Sequence, residues 1–202
     1  MSYSIYEHIC INEPFMVNAF VTSIQSSTFH WHNEYELLGI LRGSAEVRVR
    51  SESVILKKGD LLLINPNVFH AIKCIGEEEN LCMIIQMRPN LFKEEKDSNF
   101  DIRFYLNSSS DEMPACGFGH FFRRMACVVY ETTSQDKHAK FRARAQVCCL
   151  IAELFEYVVY DVYFREPETS GTQELIIAII HFLEENIAEE KIADLTCKRF
   201  GV

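Results

Sequence analysis

Short apolar segments separated by turn-forming residues fill the chain from about Phe15 to Pro89. The breaks contain Gly43, Gly59 and the run Asn65-Pro66-Asn67, residue types that favour turns. Many short strands at close spacing are typical of a β-sandwich or β-barrel, so we predict such a domain here. The predicted strands are Phe15–Ile24, Tyr35–Leu41, Glu46–Arg50, Val54–Leu56, Leu61–Ile64, Phe69–Ile75 and Leu81–Met87.

A helical period replaces this pattern after about residue 117. Apolar residues recur every three to four positions and predict one helix over 118–132 and a longer one over 138–164. The longer helix is apolar around most of its circumference, so it must be covered on more than one side. We expect the β-domain to cover one side and a partner subunit the other.

The remaining segments complete a chain that is mainly β with added helices. Residues 90–117 are polar and irregular, with one possible strand at Ile102–Leu106. Arg165–Gly171 has the composition of a linker, and further helices are predicted after Ser170 and from about Ile192. We therefore divide the chain into a β-domain over 1–116, a helical region over 117–165 and a third segment over 166–202.

Charge and cysteine content limit the partners and the cellular compartment that we expect for the chain. The net charge of −9 argues against nucleic-acid binding by these residues, because phosphate contacts require clustered Lys and Arg. The eight cysteines include no C-x-x-C pair, and the N-terminus lacks the pattern of a signal peptide. The stretch Val147–Tyr160 is too short and too charged to cross a bilayer. We expect a cytoplasmic protein with free thiols and no membrane contact.

One constellation of residues indicates the chemistry: His30-x-His32-x3-Glu36, followed later by His70. Even spacing on a strand places side chains on one face, which predicts that the first three point the same way. His70 faces inward because Lys73, of opposite parity, requires water. Three imidazoles and a carboxylate suit a divalent metal such as Zn, Ni, Mn or Fe. They equally suit a polar small-molecule pocket, or a set of hydrogen-bonded groups that binds no metal.

Two further residues belong to the predicted pocket. Ile72 has the same parity as His70 and is expected to line it. Arg42 shares the parity of Glu36, so its guanidinium is either a ligand for a carboxylate or sugar hydroxyl or a residue at the rim of the barrel. Trp31, between two inward histidines, should point away and serve packing.

These motifs resemble a known family. His30-x-His32-x3-Glu36-x6-Gly43 is similar to the first cupin motif, and Gly59-Asp60 with Pro66-x3-His70 is similar to the second. The wider string from His30 to Leu38 resembles the sensor domain of AraC-type transcriptional regulators. The order of β-domain, paired helices and linker is also theirs, and residues 175–202 resemble the opening of their DNA-binding domain.

The resemblance implies a fold and a function. The fold would be an N-terminal cupin, a double-stranded β-helix or jelly-roll barrel, followed by an α-helical hairpin and a truncated helix-turn-helix segment. The cupin would bind a small polar effector, such as a sugar, and the chain would dimerise through residues 118–164. DNA would be bound only by the full-length protein, whose recognition helix lies beyond Val202. This reading predicts no enzymatic activity. The alternative is a metal-dependent cupin enzyme, a dioxygenase or a sugar isomerase.

Overall fold

The computed structural model of the chain describes residues 5–93, 100–110, 117–164, 175, 178–180, 182–183, 186, 189 and 191–201. These residues form two compact units. The first contains the chain up to Ser98 together with Ile102–Val162, and the second contains Asn99–Asp101 with Tyr163–Val202. The predicted three-part division of the chain stays a prediction.

Within the described residues, eleven strands and three helices have defined bounds, and residues 175, 178–180 and 182–183 are also helical. The strands are Ile5–Tyr6 (β1), Val17–Thr22 (β2), His30–Trp31 (β3), Tyr35–Arg42 (β4), Ser44–Val49 (β5), Glu52–Lys57 (β6), Leu61–Ile64 (β7), His70–Cys74 (β8), Leu81–Met87 (β9), Phe100–Tyr105 (β10) and Val159–Phe164 (β11). The helices are Gly119–Thr133 (α1), Ala139–Tyr157 (α2) and Ile192–Phe200 (α3), and a short 3-10 helix spans Pro89–Phe92.

Two sheets form the body of the first unit. The five-stranded sheet has the order β1-β3-β8-β5-β6, and the four-stranded sheet has the order β2-β9-β4-β7. Neighbouring strands are antiparallel except β1 and β3, which run parallel. The predicted run of short strands between Phe15 and Pro89 is confirmed, and it forms a β-sandwich.

An apolar core lies between the two sheets. All its residues except Val68 come from β4, β7 and β9 of one sheet and from β5, β6 and β8 of the other, so the two inner faces pack together. This layer buries the Ile72 side chain, as its parity predicted. The core residues are Leu38, Ile40, Ala45, Val47, Leu56, Leu62, Ile64, Val68, Ile72, Cys82 and Ile84.

Helix α1 packs against β2 and β9 of the four-stranded sheet and against α2. On β4, a Cβ at Gly39 would lie only 2.7 Å from Cε1 of Phe122, so α1 also closely approaches that strand. Both faces of β4 are therefore covered, which explains its continuous apolar run. Arg124 joins the helices through an ion pair of 2.6 Å to Glu153 and a hydrogen bond to Gln146.

The second predicted helix is correct only in its first part. We expected it to reach residue 164, but α2 ends at Tyr157 and Val159–Phe164 form β11, which pairs with β10. The backbone changes at Val158, which has φ −112° and ψ 134°. The segment Val-Tyr-Asp-Val-Tyr-Phe is rich in β-branched and aromatic residues, which favour strands. Its apolar content satisfied the helical pattern equally well, and only a partner strand distinguishes the two.

In the second unit, α3 begins at Ile192, as predicted. It ends at Gly201, whose φ of 71° is left-handed and whose N–H donates to the carbonyl of Cys197. The predicted linker, the cap at Ser170 and most of the helix expected after it lie outside the described residues. Among the described residues, no helix is long and apolar enough to cross a membrane.

Candidate ligand and metal site

Three histidines of the five-stranded sheet converge. His30 on β3 is paired directly with His70 on β8, and their ring centroids are 4.2 Å apart. His32, just after β3, has its ring 5.1 Å from that of His70. One ring nitrogen from each histidine lies within 4.8 Å of the others. The structure thus assembles the predicted imidazole triad, with His32 and His70 fully buried.

Glu36 reaches the triad from the opposite sheet. Its Oε2 lies 3.3 Å from Nε2 of His32, and its Oε1 lies 3.9 Å from Nε2 of His70. We predicted that His30, His32 and Glu36 would share one face of one strand, and this is wrong. The chain passes from β3 to β4 between Trp31 and Tyr35, and those strands belong to different sheets. The convergence therefore results from two sheets facing each other.

Two residues that we did not predict hold Glu36 in place. Gln86 on β9 is directly opposite Glu36 on β4, and its Nε2 donates to Oε2 of Glu36 at 2.8 Å. Asn18 on β2 donates in turn to Oε1 of Gln86 at 2.7 Å. A signal was present in the sequence, because each of these amides interrupts an otherwise largely apolar strand. The role of the two amides could not be predicted without the strand order, which places β9 between β2 and β4.

The main chain determines which nitrogen of each imidazole faces the site. In all three rings Nδ1 lies against a carbonyl oxygen, which can only accept a hydrogen bond. Nδ1 therefore carries the proton and donates it, and Nε2 of a neutral ring is left as a lone-pair acceptor. The partners are Thr28 at 2.8 Å for His30, Glu34 at 3.1 Å for His32 and Val68 at 2.9 Å for His70.

The electrostatics of the buried groups favour a neutral imidazole beside an ionised carboxylate. Burial lowers the pKa of His70 to about 4, against the attraction of Glu36. Burial by itself would raise the pKa of Glu36, but His32, His70 and the Gln86 amide together lower it to about 2. At neutral pH the site therefore presents a carboxylate and an uncharged His70.

A second carboxylate approaches the triad from the N-terminus. Oε2 of Glu7 lies 3.1 Å from Nε2 of His30. Burial lowers the pKa of His30, but hydrogen bonds to Glu7 and Thr28 outweigh it and raise that pKa overall. The hydrogen bond to His30 lowers the pKa of Glu7. No spacing motif pointed to Glu7, because its position depends on the parallel pairing of β1 with β3.

The residues present fit a divalent metal ion. Nε2 of His32 and Nε2 of His70 are buried and have no hydrogen-bond partner, which is costly unless a ligand satisfies them. Two imidazole nitrogens on a tetrahedral zinc ion are about 3.4 Å apart, with bonds of about 2.1 Å. The nitrogens of the observed cluster, which lie within 4.8 Å of one another, would need to approach by up to about 1.4 Å. His30, His32, His70 and Glu36 together supply three nitrogens and a carboxylate, a common ligand set for first-row metals.

Arg42 does not join the cluster. The register of β4 against β9 shifts between Ile40 and Arg42, so the alternation that predicted an inward side chain fails there. The Arg42 side chain is half exposed, donates to the carbonyl of Glu79 and pairs with the carboxylates of Glu78 and Glu79. Arg42 therefore does not point inward as its parity with Glu36 predicted, and of the two alternatives it takes the second, a position at the rim among acidic residues.

Trp31 points away from the histidines, as its parity predicted. Its ring packs edge-on against Tyr6 at 4.8 Å and against Phe69 at 6.0 Å. Trp31 is therefore a packing residue beside the site, and it links β3 to the N-terminal strand.

A separate open cavity of about 680 Å³ lies at the β5–β6 hairpin, between Phe29 and Phe69. None of the site histidines lines it. Three of its polar side chains already bind one another, because Glu46 accepts from Ser53 at 2.6 Å and from Arg48 at 3.3 Å. The unsatisfied polar atoms of the histidine cluster make that cluster the stronger candidate for the ligand site.

Comparison with known proteins supports the sensor-domain interpretation. A family model described as the AraC-like ligand binding domain matches residues 23–151. This match supports the predicted ligand-binding domain and its cupin-like β-sandwich, while the helix-turn-helix segment stays a prediction. The matched range includes the triad and Glu36 but not Glu7. Among curated proteins, none matches this sequence.

Solved structures with similar segments include two cupins and a decarboxylase. A cupin-like protein from Thermotoga maritima is 27% identical over 37% of this chain and 59% of its own, with a TM-score of 0.35. A cupin-2 domain protein from Shewanella frigidimarina is 21% identical over 36% and 72%, with a TM-score of 0.33. Bacillus subtilis oxalate decarboxylase, with Mn(II) centres, is 22% identical over 35% and 21%, with a TM-score of 0.31. The chain thus spans less than two thirds of the Thermotoga protein.

Proposed function

The chain belongs to the family of AraC-like ligand-binding domains, and from this we propose that it is the effector-sensing part of a transcriptional regulator. The observation that carries the proposal is the buried set of His32, His70 and Glu36 between the two sheets of the family's domain. Polar groups in an apolar layer are costly unless a partner satisfies them. A small polar effector would supply that partner.

The chemistry of the site limits the classes of effector that it can bind. Its buried acceptors are Nε2 of the neutral His70 and the Glu36 carboxylate. The complementary ligand brings hydrogen-bond donors or positive charge, as the hydroxyls of a sugar or polyol, an amine or a metal ion would. A purely anionic effector is disfavoured, because the ionised Glu36 would repel it.

We also propose that the chain forms a homodimer through its helices. One side of α2, including Ala143, Val147, Leu150 and Leu154, is buried in the protomer. The opposite side carries a second apolar stripe at helical spacing that is exposed, which we call the outer stripe: Phe141, Ala145, Cys148 and Ala152. A symmetric pair of such stripes would bury them, and a regulator with two-fold symmetry contacts two DNA half-sites.

In the complete regulator, DNA would be bound by basic residues beyond this acidic chain. Effector binding between the sheets would alter the contacts of the helices and so bias the positions of the DNA-binding domains. Coupling of about 1–3 kcal/mol between the two sites is sufficient for a useful switch. Such a protein would act in the cytoplasm, and the seven cysteines in the described part of the chain are all free thiols.

A thermal-shift screen of neutral sugars and polyols, with excess chelator, tests the sensor proposal. At a hundredfold excess over its Kd, an effector contributes about 2.7 kcal/mol, which raises Tm by roughly 5–10 °C in a chain of this size. His32→Asn should abolish the shift, because Asn keeps the donor to Glu34 but removes Nε2. Arg42→Gln, at the rim, is the matched control and should retain it. A shift that survives His32→Asn would contradict the proposed site.

A metal-dependent cupin enzyme is the second candidate, favoured by the two buried Nε2 atoms that lack partners. His30, His32, His70 and Glu36 would hold the metal, which would supply Lewis-acid or oxygen-activating chemistry. Gln86 would orient the Glu36 carboxylate, and the three main-chain carbonyls, which accept from Nδ1, would orient each ring so that its Nε2 faces the metal. Elemental analysis of the purified chain, followed by oxygen-uptake and sugar-isomerase assays, tests this candidate. A chain that contains no metal and binds none would exclude it.

A further inference from the structure

The N-terminal segment is positioned to contribute to the site. Strand β1 pairs in parallel with β3, and two main-chain hydrogen bonds anchor it, from Ile5 N–H to Phe29 and from Glu7 N–H to Trp31, at 3.0 and 2.9 Å. Tyr6 also stacks edge-on against Trp31. These contacts keep the Glu7 backbone beside the triad, and its half-exposed side chain pairs with His30.

Glu7 and Glu36 lie on different sides of the histidines. Glu36 reaches the rings of His32 and His70 from the four-stranded sheet and is buried, whereas Glu7 reaches Nε2 of His30 from the outer edge of the five-stranded sheet. When the imidazoles lose their protons to bind a metal ion, the two carboxylates leave the site with a charge of about −2, which a divalent cation would balance.

We propose that Glu7 is a ligand-binding residue of this site, and that with the three histidines and Glu36 it holds a divalent cation. The proposal rests on the histidine cluster being the binding site, as proposed above. Nε2 of His30 is the nitrogen nearest Glu7, and the orphaned Nε2 atoms of His32 and His70 belong to the same cluster. Carboxylate and imidazole together are a common ligand set for Zn²⁺ and Mn²⁺.

Zn²⁺ affinity, measured by competition with a chromophoric chelator, tests Glu7 directly. Glu7→Gln should weaken Zn²⁺ binding by about 10–100-fold, the usual loss when a residue that supports a metal site is changed. Glu79→Gln removes an exposed carboxylate that pairs with Arg42 at the rim, so it is the matched control and should bind as the native chain does. Far-UV circular dichroism confirms that each variant is folded.

Trp31 supplies a second readout that does not depend on affinity. It is the single tryptophan of the chain and lies next to Tyr6 on β1. If Glu7 engages the cation, Zn²⁺ should change Trp31 fluorescence in the native chain and in Glu79→Gln. The change should be smaller in Glu7→Gln.

The outcomes separate this inference from the proposed function. Zn²⁺ binding that is equal or tighter in Glu7→Gln overturns the role of Glu7. Zn²⁺ binding that is unchanged in His70→Asn, or absent in the native chain, overturns the cation site as a whole. A sugar-dependent thermal shift in excess chelator would still stand in both cases, because that screen involves neither metal nor Glu7.

Discussion

At the scale of single residues, burial decides which groups carry charge. His70 is fully buried, and its Nδ1 donates to Val68 while its Nε2 has no hydrogen-bond partner. Protonation would place a cation in that apolar layer, so its pKa falls to about 4. Glu36 stays ionised because two imidazoles and the Gln86 amide lie around it. The site is thus prepared for a ligand that brings donors or positive charge.

The pKa of His70 predicts a loss of stability in acid. Between pH 6.5 and about 4, His70 is protonated in the unfolded chain and neutral in the folded chain. The free energy of unfolding is therefore highest above pH 6.5 and falls as the pH decreases. The full effect is on the order of 3 kcal/mol. His70→Asn keeps a donor to Val68 and should flatten this dependence. Urea unfolding at several pH values measures it.

The control for this experiment is His8→Asn, at an exposed position. Glu36 also contributes to the free energy of unfolding, and this contribution is lost at lower pH, as the pH falls from 4.5 to about 2. His30, whose pKa is raised, acts in the opposite direction and loses its contribution as pH rises. The prediction fails if His70→Asn loses stability between pH 6.5 and 4 as steeply as the native chain.

At the scale of elements, the four-stranded sheet is covered on both faces. The inner face of β4 contributes Leu38 and Ile40 to the core, and Gly39 on the other face meets Phe122 of α1. A continuous apolar strand is the expected result of two covered faces. The absence of a side chain at Gly39 allows the helix to approach closely.

Gly39→Ala should therefore destabilise the protein by about 1–3 kcal/mol, because the added methyl group overpacks the contact between α1 and β4. Its Cβ would lie 2.7 Å from Phe122 Cε1 and 3.0 Å from Leu61 Cδ2. Phe122→Leu in the same chain should reduce the cost, which a double-mutant cycle of urea unfolding measures. Gly119→Ala, which meets no atom within 4 Å, is the control. Equal costs with and without Phe122 would contradict this account.

At the scale of the whole molecule, the helices carry more apolar surface than one protomer covers. The outer stripe of α2 is exposed, whereas the opposite face of the helix is buried. Apolar stripes at helical spacing on an exposed face favour association with a second helix. This is the physical basis for expecting two copies.

Ala145→Glu, in the centre of the outer stripe, should convert a dimer into monomers at micromolar concentration. The carboxylate would be buried opposite its own copy in a symmetric interface. Sedimentation velocity measures the change, and Gln135→Glu, in the exposed turn between α1 and α2, adds the same charge as a control. Monomers of the native chain, or a dimer that persists in Ala145→Glu, would contradict the proposed interface.

Local pattern was sufficient to predict much of this protein. Alternation and turn residues located β2 and the strands from β4 to β9, but not the two-residue β3, and helical periodicity located α1 and the start of α2. The spacing of His30, His32, Glu36 and His70 marked the candidate residues, since each belongs to a short motif, although their convergence results from two facing sheets. These features depend on neighbours within a few residues, which the order of amino acids contains directly.

Only the tertiary structure decided the rest, because those features depend on residues far apart in the chain. Strand order placed Gln86 against Glu36 and Glu7 against His30. The irregular pairing of β4 with β9 turned Arg42 outward, and pairing with β10 made a strand of Val159–Phe164, which had been predicted as helix. A side chain of given type can lie on either face or in either element, and the long-range partner determines which state has the lower free energy.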